Sequence, residues 1–356
     1  MKFGAGLALM NGGGRPDYEV YRSALELGLE VETLGFDSIW TVEHHFTGHS
    51  PVPNALQMLS YIAAKTDKLL LGTAVIVLPW HHPVRVAEEI AALDVLSGGR
   101  TLLGFGRGTS AGEYNGFQIP MEQSRERFAE AVRIIRLGLS QPRFSYNGTF
   151  FQIPEIAVRP RPISNPEQRM YGAATSPEST DLMAELGLGL LISPDRDLEQ
   201  GRKQIRGYHE ILHRSSKPLV TPPPACHLYV SVATTLENAR ARAERHMRPM
   251  IAMLDRHYGV SKRSLAGVKS YERYAADGSS GSLWEVSQRD TLVRAFMDRH
   301  LVGTPHQCIV RLREMQEELG VEHFIGEFSY GDMPQAECWE NMKLFANTVL
   351  PALNGP

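Results

Sequence analysis

Strand-like and helix-like segments alternate from the first residue almost to the last, and this alternation restricts the chain more than any other feature. Parallel strands need a crossover between them, usually a helix, so the pattern points to parallel β-structure with helices packed outside it. Val20, Ala24, Leu27, Val31 and Leu34 recur at intervals of four, three, four and three, which makes one apolar helix face. Gly35 then supplies a helix stop. Phe128, Val132, Ile135 and Leu139 form a second such face, and Cys308, Leu312, Met315 and Leu319 a third. Apolar runs between the helices centre on Phe3, Ile39, Leu70, Leu102, Tyr171, Leu191, Tyr229 and Ile325, giving eight strands. Eight strands with intervening helices predict an α/β fold of the closed (β/α)8 barrel kind. An open doubly wound sheet satisfies the same pattern, because strand order is not written in a single sequence. The 356 residues suit one barrel, so residues 1–356 are expected to form a single domain.

Two stretches interrupt the rhythm. Phe144 to Phe151 reads as a small hairpin with an Asn147-Gly148 turn. Residues 258–300 follow the seventh strand and contain Asp277-Gly278-Ser279-Ser280-Gly281-Ser282. With little apolar area to bury, this segment is expected to be a mobile lid over the end of the barrel where active sites are found.

The net charge of −3 leaves no basic surface for nucleic acid or anionic membranes. No apolar run is long enough to span a bilayer. Met1 to Leu9 lacks a basic leader and a cleavage site, and reads as a buried strand rather than a signal peptide. Cys226, Cys308 and Cys338 lie far apart and form neither a metal pair nor a disulfide framework, so a cytoplasmic location is expected.

Four stretches carry candidate chemistry. Glu43-His44-His45-Phe46 closes the second strand, where a regular backbone would send the two histidines to opposite faces. Taken alone, it reads first as a hydrogen-bonded structural pair. Gly72 to Pro83 begins as a buried strand and ends in a polar loop. Gly104-Phe105-Gly106-Arg107-Gly108 offers close backbone approach and a guanidinium suited to phosphate, though its spacing is not a dinucleotide fingerprint. Thr175-Ser176-Pro177-Glu178-Ser179 opens a capped helix, and a helix N-terminus favours anions. The adjacent pairs His44-His45 and His81-His82 lack the same-face spacing of barrel metallohydrolases, so no metal is expected.

Taken in order, these stretches resemble the bacterial luciferase family, especially its α subunit. The resemblance is carried by Gly35-Phe36-Asp37-Ser38-Ile39-Trp40, Glu43-His44-His45-Phe46-Thr47 and Gly72 to Pro79. It continues through His82-Pro83-Val84-Arg85, Leu93 to Arg100 and Gly303-Thr304-Pro305. It implies a (β/α)8 barrel that binds reduced flavin mononucleotide (FMN) supplied by a separate NAD(P)H:flavin reductase. In that family oxygen adds to the flavin 4a carbon, and the resulting peroxide attacks an aldehyde or another small substrate. By the same resemblance His44 is the catalytic residue, and Arg107, Arg125, Ser176 and Ser179 hold the flavin phosphate. Thr175 contributes backbone. Ala74 and Val75 lie under the flavin ring across a cis peptide. Gly106 stands where the luciferase α subunit has a reactive cysteine, and Pro194 where it has a tryptophan. Phe46, Trp80, Phe117 and His227 are expected to line the substrate pocket. A homodimer through the second and third helices is implied, with Ala87, Ala91 and Ala92 allowing close approach. Two other readings share the fold: a hydride-transferring enzyme using the deazaflavin F420, and a non-catalytic flavin-binding subunit. Retention of His44 speaks against the second.

Overall fold

The computed structural model describes residues 1–193, 198–214, 221–264 and 289–354. The barrel strands are β1 (Lys2–Leu7), β2 (Ser38–Thr41), β3 (Leu70–Thr73), β4 (Thr101–Gly106), β5 (Met170–Ala173), β6 (Gly189–Ile192), β7 (Ala225–Val232) and β8 (His323–Glu327). Each pairs in parallel with the next, and β8 returns to β1 in the register Lys2↔His323 to Gly6↔Glu327. The sheet is therefore a closed (β/α)8 barrel, and the open-sheet alternative falls away. Ile76–Val77 and Leu301–Gly303 add two short strands at its rim.

Trp40 fills the barrel interior and is fully buried. A Cβ at Gly4 or Gly72 would collide with its ring, so these positions must stay bare. The indole N–H donates to Ser38 Oγ at 2.8 Å, and Ser38 Oγ pairs with His323 Nε2 at 2.7 Å. Leu102, Tyr171, Leu191, Ala225 and Ile325 pack the same layer. Burying an indole stabilises by about 4–6 kcal/mol at the usual area coefficient. The layer is a packed plug, and in barrels of this kind active sites form at the end where the strands exit.

The helices are α1 (Asp17–Glu30), α2 (Ala55–Ala63), α3 (Pro83–Ser97), α4 (Ala111–Gly116), α5 (Ser124–Ser140), α6 (Pro177–Glu185), α7 (Leu198–Arg214), α8 (Leu236–Ser264), α9 (Arg289–Arg299), α10 (Pro305–Leu319) and α11 (Gln335–Thr348). The expected faces of α5 and α10 are buried. Helix α1 ends at Glu30, earlier than its apolar spacing suggests, and a turn carries the chain to Gly35 at φ 82°. The hairpin is longer than expected: its strands are Phe144–Asn147 and Gln152–Ile156. Glu130 explains the wider loop, because its carboxylate accepts the backbone N–H groups of Thr149, Phe150 and Phe151 at 2.8–3.2 Å.

The expected lid is partly replaced by ordered structure. Residues 258–264 continue α8, and α9 packs against α8. The remainder, 265–288, lies outside the described residues, as does Pro194. Ala87 and Ala91 are fully buried within the chain. Ala87 approaches the Gly138 position of α5, and Ala92 is half-buried. Among the described residues no helix is long and apolar enough to cross a membrane.

Candidate active site

Two buried carboxylates organise the exit of β2, and each gathers imidazoles. Strand β2 ends at Thr41, so His44 and His45 sit in an irregular loop where Phe46 and Ser50 take φ of 64° and 54°. Strand alternation therefore does not separate the two histidines. Their rings diverge because they answer to different carboxylates.

His45 Nε2 lies 3.0 Å from Glu43 Oε1, and His81 Nε2 lies 2.6 Å from the same oxygen. Glu43 Oε2 accepts the Val77 N–H at 2.8 Å. Burial alone would raise the Glu43 carboxyl, but the hydrogen bonds from His45, His81 and Val77 outweigh it and hold the group below its ordinary range. The same carboxylate raises His81 against the opposing effect of burial. His45 also packs on Trp80 and Phe117, with ring centroids 5.3 and 4.7 Å away. His82 turns elsewhere, onto Phe151.

His44 faces the second carboxylate. Its Nδ1 is 3.5 Å from Glu113 Oε1, and its Nε2 is 3.5 Å from the Tyr258 hydroxyl. The His257 Nε2 is 3.5 Å from Glu113 Oε2, and Glu113 Oε1 accepts the His45 N–H at 2.7 Å. Burial opposes ionisation of Glu113, yet His257 and His44 hold its carboxyl down at about 2. His49 stacks on both rings, at 4.5 and 4.9 Å, and burial keeps it neutral, well below its ordinary value. Ligand atoms of His44, Glu113 and His257 lie within 4.8 Å of one another, a span a metal ion can bridge. Glu113 Oε1 also accepts the His45 N–H.

A second arc runs along the exits of β3, β4 and β5. The Ala74–Val75 peptide is cis. Gly106 lies against Val75, and a Cβ at 106 would collide with Val75 Cγ2, so this position has no room for a cysteine. Arg107 follows directly; it is buried, and its carbonyl accepts the Tyr114 hydroxyl. Strand β5 pairs beside β4 through Leu103↔Met170 and Phe105↔Gly172, which sets the start of α6 next to Arg107's strand. Ser176 caps α6: its Oγ accepts the Ser179 N–H at 3.2 Å, and Ser179 Oγ accepts the Ser176 N–H at 2.9 Å. Arg125 reaches this helix end and donates to the Glu178 carbonyl at 3.4 Å. Thr175 is exposed just before the cap.

The four expected pocket residues divide. Phe46, Phe117 and Trp80 form one aromatic group, with Phe117 centroids 5.2 Å from Phe46 and 5.5 Å from Trp80. His227 stands apart on β7, its Nε2 3.9 Å from the buried Glu327. Sequence reasoning passed over Glu113, His257 and Tyr258. A signal existed for one of them: Ser110 and Glu113 have capping spacing, and the Ser110 side chain accepts the Glu113 N–H. Nothing local marked His257, which lies 213 positions after His44 on a helix that had not been recognised (257 − 44).

A family profile described as luciferase-like monooxygenase matches residues 1–323. Protein y4vJ of Sinorhizobium fredii is 32% identical over 98% of this chain and 95% of its own. The alkanal monooxygenase alpha chain of the Kryptophanaron alfredi symbiont is 27% identical over 99% of this chain and 98% of its own. The crystal structure of monooxygenase RslO1 from Streptomyces bottropensis superposes with a TM-score of 0.79 at 25% identity, covering 99% of both chains. With the barrel closed, the histidine loop at its exit and the profile match spanning nearly the whole chain, this protein belongs to the luciferase-like monooxygenase family.

Proposed function

We propose that the protein uses reduced FMN and oxygen to oxidise a small apolar organic substrate, an aldehyde or ketone, with a separate NAD(P)H:flavin reductase supplying the flavin. The observation that carries this reading is the placement of His44, half-buried between Glu113 and Tyr258 at the exit of β2. Bound reduced flavin supplies the electrons that activate oxygen. The chain's residues do the rest. The α6 N-terminus with Ser176 and Ser179, together with Arg125 and Arg107, holds the phosphate, combining a helix end with charge-assisted hydrogen bonds. The backbone of Thr175 adds to that cradle. Ala74, Val75 and the bare Gly106 form a flat bed for the ring system. His44 takes and returns a proton at Nε2, the general acid–base role that imidazole fills most often. Phe46, Trp80 and Phe117 give an apolar wall for the substrate; His227, apart from them on β7, would supply a polar contact only to a substrate long enough to reach it.

Reconstitution tests this reading against the deazaflavin alternative. With reduced FMN and isotopically labelled oxygen, one labelled atom is expected in the product of an aldehyde or ketone panel. Substrate turnover with reduced F420 and no oxygen uptake would overturn it.

A further inference from the structure

We propose that Glu113 fixes the tautomer of His44, and that His257, delivered by α8, sets how much of the Glu113 charge His44 feels. His257 is thus a positioning residue for His44. The inference rests on the reading of His44 as the proton-handling group.

The proton positions follow from the hydrogen-bond chain. The Thr47 hydroxyl accepts the His49 N–H at 3.2 Å and lies 2.8 Å from His257 Nδ1. His257 Nε2 faces the Glu113 carboxylate, which can only accept, so the ring proton belongs on Nε2 and the Thr47 hydroxyl gives its own proton to Nδ1. His44 Nδ1 and His257 Nε2 are both buried and have no other partner among the described residues. Each faces a different oxygen of one carboxylate, at 3.5 Å. The same logic puts the His44 proton on Nδ1 and leaves Nε2 as the accepting nitrogen. Across from Nε2 stands the Tyr258 phenol, which burial and then Glu113 push well above its ordinary value, so it stays protonated and donates. Among the described residues, the groups facing His44 are Glu113 from α4, His257 and Tyr258 from α8, and His49 from its own loop.

A carboxylate that accepts a second N–H attracts a proton on the first imidazole less strongly. Glu113→Gln removes the charge and is expected to move the His44 protonation midpoint down by about 1–3 pH units. His257→Ala removes the competing donor and moves it up. His257→Gln returns an N–H near the Nε2 position and restores the wild-type midpoint. A role in packing alone does not give shifts of opposite sign.

Nuclear magnetic resonance of ring-¹⁵N-histidine in the whole, flavin-free protein reads both quantities. The wild type should show His44 as the Nδ1–H tautomer, with the two opposite shifts and the Gln rescue in the variants. An Nε2–H tautomer in the wild type overturns the proposal even if no variant folds. So do shifts of the same sign, or stoichiometric zinc binding that replaces these signals. Because flavin is absent, loss of the relay and loss of oxygenase activity are separate results.

Discussion

Position 106 is bare for a steric reason, independent of any chemistry lost there. Gly106→Ala is expected to cost about 1–3 kcal/mol through overpacking against Val75 Cγ2. Combining it with Val75→Ala should recover most of that loss, because the remaining contact, to Val75 Cβ, is 3.4 Å. Urea midpoints of the three variants check this; an additive double variant contradicts it. His44→Ala should keep the fold and most flavin affinity while lowering coupled turnover by about 10²–10⁴-fold, measured as product formed per flavin oxidised. His44 was legible in the sequence because its whole tetrapeptide resembles a family motif. Glu113 and His257 were not, because their meaning lies in a convergence of β2, α4 and α8 that no local pattern encodes.

Among the elements, the start of α6 bears on both stability and the proposed flavin binding. Ser176→Ala removes half of a reciprocal cap and should cost about 0.5–2 kcal/mol. Arg125→Ala should weaken FMN far more than riboflavin in equilibrium binding, since only FMN presents a phosphate to this helix end. Equal losses would show that Arg125 does not touch the phosphate. The start of α6 was readable from Ser176-Pro177, a cap followed by a favoured first residue. Helix α8 was harder to see, because Pro249 interrupts it and its charged C-terminal half resembles a loop. Its continuation to residue 264 is what brings His257 and Tyr258 to His44.

At the scale of the whole molecule, the alternation of segments made the barrel legible, and every expected strand centre lies in a strand. Which helix faces meet a partner was not legible, since apolar spacing marks burial without saying against what. The homodimer through α2 and α3 stays an expectation. Tyr61 and Leu96, exposed on these helices, are further contacts such an interface would use beside Ala92. Sedimentation at micromolar concentration should show a dimer, and Leu96→Arg should weaken it. The buried histidines make stability depend on pH. Burial holds His323 down at about 3 and His49 and His300 well below their ordinary 6.5. Unfolding lets each take up a proton, so their contribution is complete above about pH 6.5 and is lost below it, by at most about 1.4 kcal/mol per pH unit per group. The urea midpoint should therefore fall between pH 7.5 and pH 5. The central claim, that His44's surroundings steer oxygen chemistry on a bound flavin, is tested most directly by stopped-flow mixing of the protein and reduced FMN with oxygen. Oxidised-flavin absorbance is expected to return after a distinct slow phase that His44→Ala shortens; a single phase matching free flavin would contradict it.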